Sequence, residues 1–158
     1  MKALKYVGVI AGLTLLFGCA QTKKSSPVNL NGFKPGKHLY KAIFEKDSAS
    51  LNLNIAAGGR VTGDLLIRFT KGGDTIEVNT GDITGEFRGD TLFADYNFTS
   101  GKYKTIYSNP IALLHKGDTL IMGKGRMMSY LGRSYLDPMT PINFRNVKFR
   151  FTPVERKK

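Results

Sequence analysis

Few residues in the 158-residue chain can do chemistry, and one stands apart: Cys19, the only cysteine, ending the run Leu16-Phe17-Gly18-Cys19. With no second cysteine there is no disulfide, so what remains to this thiol is reaction at sulfur. His38 and His115 are the only histidines, and neither lies in a motif. Zinc needs several closely spaced Cys, His or carboxylate ligands, and the chain offers no second cysteine, close histidine pair or acidic cluster. A serine nucleophile needs a base and an orienter. His38 or His115 could meet a Ser and an Asp in space, but no G-x-S-x-G elbow occurs. Asp64 and Asp95 fall in the polar phase of their strands, where carboxylates are solvated. The expectation is a non-enzyme, with no catalytic residue, no metal and no cofactor.

Binding chemistry is better supplied. The stretch Met127–Pro141 carries Tyr130, Arg133 and Tyr135 among methionines, and loops beyond about 12 residues tend to be functional or locally structured. Tyr and Arg anchor recognition surfaces, and Met fills gaps. The competing reading is a plug, with Leu131, Leu136 and the methionines closing one end of the fold. Tyr96 and Phe98, together with Leu92, are the candidate lining of an internal apolar cavity.

The elements that must position these residues begin after residue 18. Lys2 and Lys5, the apolar run from Tyr6 to Phe17, and small Gly18 form the three parts of an export signal. The run falls short of the ~18 residues that mark a transmembrane helix. Leu16-Phe17-Gly18-Cys19 resembles the lipobox of bacterial lipoproteins: an aliphatic residue, a variable one, a small one, then the lipidated cysteine. The resemblance implies a diacylglycerol on the Cys19 thiol and a further acyl chain on its amine. Two or more chains, at ~0.8 kcal/mol per buried CH₂, anchor a protein stably. Ala20, where the family's inner-membrane signal would be aspartate, implies the outer membrane, with its periplasmic and surface faces both open.

The formal charge is +12, and about +10 remains once Lys2 and Lys5 leave with the signal, which favours acidic partners. Export argues against nucleic acid. Anionic lipid headgroups, lipopolysaccharide or acidic glycans are the natural candidates, unless the charge is merely scattered over tails and strands. Gln21-Thr22-Lys23-Lys24-Ser25-Ser26-Pro27 reads as a flexible tether. The division is signal 1–18, lipidated cysteine and tether 19–35, one domain 36–154, and a basic tail 155–158.

From Gly36 onward apolar residues recur with period two, the spacing of a strand with one buried face. Leu51, Leu53, Ile55 alternate with Asn52 and Asn54, and Val61, Gly63, Leu65, Ile67, Phe69 with Asp64, Arg68 and Thr70. Ile83, Gly85, Phe87, then Leu92, Ala94, Tyr96, Phe98, and finally Val147, Phe149, Phe151 repeat the pattern. No helical stripe of comparable length occurs. Gly73-Asp74-Thr75, Gly89-Asp90-Thr91 and Gly117-Asp118-Thr119, with looser echoes at Gly63-Asp64 and Gly81-Asp82, have the chemistry of tight turns opening into strands. Strands are expected at 38–46, 49–57, 60–70, 74–79, 82–88, 91–98, 103–115, 119–128 and 143–153.

The expected fold is therefore all-β: an antiparallel up-and-down meander of eight or nine strands closing into a small lipocalin-like barrel, which leaves no exposed edges. A β-sandwich is the alternative. Gly63 and Gly85, on apolar faces, favour the barrel because strong coiling needs positions without side chains. A transmembrane barrel would need strands of about 9–11 residues with lipid-facing aromatic girdles, and the polar faces here are charged.

Gly89 to Gly101 resembles a segment of small envelope lipoproteins of Bacteroidota, which implies a compact β domain and transfers no functional residue. Asp47-Ser48-Ala49, Asp74-Thr75-Ile76, Asp90-Thr91-Leu92 and Asp118-Thr119-Leu120 resemble the Asp-Ser/Thr-aliphatic O-glycosylation motif of that phylum. This implies Ser48, Thr75, Thr91 and Thr119 as acceptors, although turn chemistry explains the same triplets without a sugar. The functional expectation is a membrane-anchored envelope lipoprotein that binds a small apolar or glycan ligand. The alternative is an accessory lipoprotein acting through a protein partner, and a hydrolase is the third reading.

Overall fold

The computed structural model describes residues 32–72 and 75–155. Cys19, the expected export signal 1–18, most of the expected tether and Asp74 lie outside the described residues. Ten strands follow in order: β1 Gly36–Phe44, β2 Asp47–Ile55, β3 Arg60–Thr70, β4 Ile76–Arg88, β5 Thr91–Ser100, β6 Ile106–Lys116, β7 Thr119–Met122, β8 Met127–Tyr130, β9 Arg133–Leu136 and β10 Arg150–Pro153. The first seven pair antiparallel in sequence, and β10 inserts between β7 and β1, closing an eight-stranded barrel. The architecture is thus the closed barrel and not the sandwich. β8 and β9 form a separate hairpin.

Period-two alternation sends one side chain in two into the barrel, and the interior is packed with them. Leu51, Leu65, Leu92, Leu113, Leu120 and Phe151 are fully buried. Burying each such side chain contributes about 1.5–3 kcal/mol. Tight turns join the strands where expected. Arg88↔Thr91 and Lys116↔Thr119 are cross-strand pairs separated by Gly89-Asp90 and Gly117-Asp118. Gly89 (φ 62°) and Gly117 (φ 61°) take the left-handed backbone that a hairpin turn of this kind needs at its first central position.

Four expectations are corrected. The strands foreseen at 74–79 and 82–88 are one strand, β4, and Gly81-Asp82 is not a corner. A Cβ at Gly81 would collide with Asn97 O and lie 2.6 Å from Phe98 Cα, so this glycine permits close approach of β5 rather than a turn. The strand foreseen at 119–128 ends at Met122: Gly123 N–H still donates to Ala112 O (2.8 Å), but Lys124 then bridges to Asn143 instead of continuing along β6. The strand foreseen at 143–153 shrinks to β10. Asn143 Oδ1 accepts the Arg145 N–H (2.8 Å), a local turn that competes with the ladder. Finally, 127–141 is irregular only over 137–141: the rest is the β8–β9 hairpin, turned at Leu131 (φ 48°) and Gly132 (φ 75°).

Because the strands alternate in direction, the barrel has two distinct poles. At the entry pole lie residues 32–35, the β2–β3, β4–β5 and β6–β7 connections, and the end of β10. At the far pole lie the β1–β2, β3–β4 and β5–β6 connections. Phe33 plugs the entry pole: it is buried against Phe87 (centroids 4.8 Å) and His115 (3.9 Å), with His38 edge-on at 5.7 Å.

Candidate functional site

Alternation also settles which residues face out. On β4, Thr84, Glu86 and Arg88 lie opposite the buried phase; on β5, Phe93 and Asp95 do so. β6 and β7 break the rule of a wet outer face. Ala112 and Ile121 point away from the barrel interior yet are only 1% and 4% exposed. A second layer covers them: the chain after β9 runs back across the wall, bringing Leu136, Ile142 and Phe144 against the glycines that follow β7.

Between this strap and the outer faces of β4–β6 lies a cleft of about 1050 Å³. Its floor carries Glu86, Arg88, Phe93, Asp95 and Pro110; Arg60 and the Gly58-Gly59 turn close one end, and Tyr135 through Ile142 form the overhang. Arg88 donates through Nε and Nη2 to Glu86 Oε1 (3.0 and 2.9 Å) and lies over the Phe93 ring, 5.4 Å from its centroid. Arg133 Nη2 reaches within 4.0 Å of Asp95 Oδ2. These exposed ion pairs contribute little stability. They do place an aromatic surface among exposed donors and acceptors, as a ligand cleft does.

The overhang is held by Asp137. Its Oδ1 accepts the Met139 N–H (2.9 Å), its Oδ2 accepts the Thr140 hydroxyl (2.7 Å), and Arg126 Nε stands 3.9 Å away. The Thr140 hydroxyl first, then the Met139 amide and the Arg126 charge, hold this nearly buried carboxyl below its ordinary range. The Asp137 N–H donates to Arg126 O (2.8 Å), tying the strap to the start of β8. Such an Asx turn fixes the backbone of Asp137–Thr140.

The residues expected to bind do not gather in one place. Tyr135 lines the cleft, and Arg133 reaches Asp95 on its floor. Tyr130 is exposed on the hairpin, outside the cleft lining. Tyr96 and Phe98 are barrel core, stacked with centroids 4.6 Å apart. Tyr96 donates to Leu65 O (3.0 Å), and burial pushes its phenol pKa up. None of the three principal cavities is lined by Leu92, Tyr96 or Phe98. Arg60, Glu86, Arg88 and Phe93 were not anticipated. Only Phe93 left a signal, as an apolar residue in the polar phase of Leu92-Phe93-Ala94.

His38 donates through Nε2 to Lys34 O (2.7 Å), and both histidines pack on Phe33. Among the described residues no hydroxyl or carboxylate side chain hydrogen-bonds to either ring, and no three His, Cys, Asp or Glu side chains converge as metal ligands. Of the glycan-acceptor candidates, Thr91 is buried and donates to Asp90 Oδ1 (3.0 Å), and Ser48 and Thr119 are half-buried in β2 and β7. Thr75 is exposed in the β3–β4 connection. No family model matches the chain, and no curated protein or solved structure does either.

Proposed function

We propose that this is a lipid-anchored envelope protein of the outer membrane whose barrel is a non-enzymatic binding module, with its ligand held on the outside of the barrel wall. The observation that carries the binding reading is the cleft under the Asp137 strap, where Tyr135 and Phe93 stand among Arg60, Arg88, Glu86 and Asp95. The exposed Tyr135 ring and the Arg88-capped Phe93, beside cations and carboxylates, suit a polyhydroxylated ligand such as a glycan, which presents both C–H faces and hydroxyls. The packed interior argues against a ligand enclosed by the strands, as a lipocalin-like pocket would hold one. The anchor rests on the run Leu16-Phe17-Gly18-Cys19.

Two experiments test the two halves. Native mass spectrometry of the unlipidated protein, residues 20–158, recovered from envelope extract should reveal a co-purifying small molecule that is lost in Tyr135→Ala. A co-purifying protein in its place would transfer the reading to an accessory role. For the anchor, Cys19→Ser should release the protein from membranes, and retention in the outer-membrane fraction would refute lipid attachment at that residue.

A further inference from the structure

Exposed large apolar side chains are not spread over this barrel. Ile43 (78% exposed), Ile106 (72%), Tyr103 (72%) and Ile76 (59%) all lie at the far pole, with Phe44 and Tyr107 beside them. The other exposed large apolar residues sit on the β8–β9 hairpin and the turn after it. Among the described residues none is on the connections of the entry pole, which are built from Ala56-Ala57-Gly58-Gly59, Gly89-Asp90 and Gly117-Asp118. The far-pole connections also carry Lys46, Lys71, Lys102 and Lys104. Its described carboxylates are Glu45, Asp47 and Glu77. Asp47 is paired with Lys148 and Glu77 with Lys71, which leaves Glu45 among the described carboxylates beside Lys46, Lys102 and Lys104, while Asp74 of the β3–β4 connection lies outside the described residues.

We infer that the far pole docks end-on against a bilayer surface bearing anionic headgroups. Isoleucine and tyrosine at the tips of several connections, interleaved with lysine, match an interface where apolar side chains enter the acyl boundary and ammonium groups meet phosphates. A protein partner would be met by an apolar patch within a polar rim. Here the lysines stand in the same turns as the apolar residues, and the apolar positions are distributed over β1, β4 and the β5–β6 connection rather than gathered in one pocket. The chain enters the fold at the opposite pole through Phe33, so this contact is separate from an anchor at Cys19 and from the cleft.

The chain has no tryptophan, so single substitutions report position cleanly. Full-length Ile106→Trp and Ile43→Trp proteins, with Ala57→Trp as the entry-pole reporter, are mixed with vesicles of phosphatidylglycerol and brominated phosphatidylcholine. The two far-pole reporters should shift to the blue and be quenched by the brominated chains, while Ala57→Trp does neither. Adding Lys102→Gln and Lys104→Gln to Ile106→Trp should weaken partitioning about thirtyfold, from ~1 kcal/mol per basic residue near an anionic surface. Equal quenching at both poles would overturn the inference, because the N-terminal apolar run would then be the membrane contact. A blue shift that grows with protein concentration in the absence of vesicles would also overturn it, assigning the pole to a second copy. Absence of quenching at Ile43 and Ile106 would overturn it outright.

Discussion

From Arg60↔Glu86 to Thr70↔Ile76, β3 and β4 hold each other through eleven successive cross-strand pairs. β10 meets β1 only at Tyr40↔Pro153 and Lys41↔Thr152, and meets β7 only at Arg150↔Ile121 and Phe151↔Leu120. The wall is held by long backbone ladders, whereas the seam has short ones, extended by Met122 N–H to Phe149 O (3.1 Å) and Val154 N–H to Leu39 O (2.8 Å), and relies more on side chains. Phe151 is fully buried in the common core and Phe149 lies beside it. Lys148, just before β10, is paired with Asp47 at the start of β2, and its ammonium lies over Phe69 (4.8 Å to the centroid), Phe149 (5.7 Å) and Phe44 (5.9 Å). A barrel can thus close with a strand of four residues, provided that the strand and the residues just before it bring buried and paired side chains.

The largest effect should come from removing the seam's main anchor. Phe151→Ala is expected to cost about 3–5 kcal/mol, and Leu65→Ala in the wall about 2–5 kcal/mol. The two differ in how the loss appears in urea unfolding. Leu65→Ala should move the midpoint at constant slope, whereas Phe151→Ala should also lower the slope, because a loosened seam already exposes surface in the native state. Equal slopes would mean that wall and seam are one cooperative unit.

Next is a change that strikes the ladder itself. At Gly81 an added methyl meets Asn97 O and Phe98 Cα, backbone that cannot swing aside. Gly81→Ala should therefore cost about 3 kcal/mol in thermal or urea melts, the upper end of ordinary overpacking. Smaller again is Tyr96→Phe, which removes the buried hydrogen bond to Leu65 O for about 1 kcal/mol. A neutral Gly81→Ala would show that β4 and β5 can separate without loss, removing the contrast with the seam.

The same contrast explains what could be read from the residue order. Strands β2, β3 and β5 announce themselves by alternation, whereas Gly81-Asp82 made the single strand β4 read as two, and the apolar-face glycines Gly63 and Gly85 pointed to closure. β10 is too short for periodicity to isolate, and Val147-Phe149-Phe151 reads as a longer strand, because nothing local reveals that Asn143 turns the chain before it. In the cleft, Tyr135 was legible as an aromatic in an unusual stretch, and the apolar run Ile111-Ala112-Leu113-Leu114 carried the trace of a covered outer face. Arg60, Glu86 and Arg88 were not legible. On their own strands they look like any solvated residue, and only the strap returning from β9 makes a site of them.

The subtlest test concerns pH and separates seam from strap. The Lys148 ammonium, and after it the Thr70 N–H (2.6 Å to Oδ1), hold the Asp47 carboxyl below its ordinary range. A depressed carboxyl stabilises the fold fully above its unfolded value of about 4, and that stabilisation is lost as pH falls through the lower folded value. Hydrogen-exchange protection of Phe151 and Thr152 should therefore fall on acidification before that of β3 and β4. In Asp47→Asn it should be low already at neutral pH and insensitive to acid. Asp137, depressed for its own local reasons, serves as the internal control. Its protonation should loosen the Met139 amide in both proteins, because that amide bonds to Asp137 and not to the seam. If Met139 and Phe151 lose protection together in Asp47→Asn, strap and seam open as one body, and the cleft would then be only as stable as the barrel's closing strand.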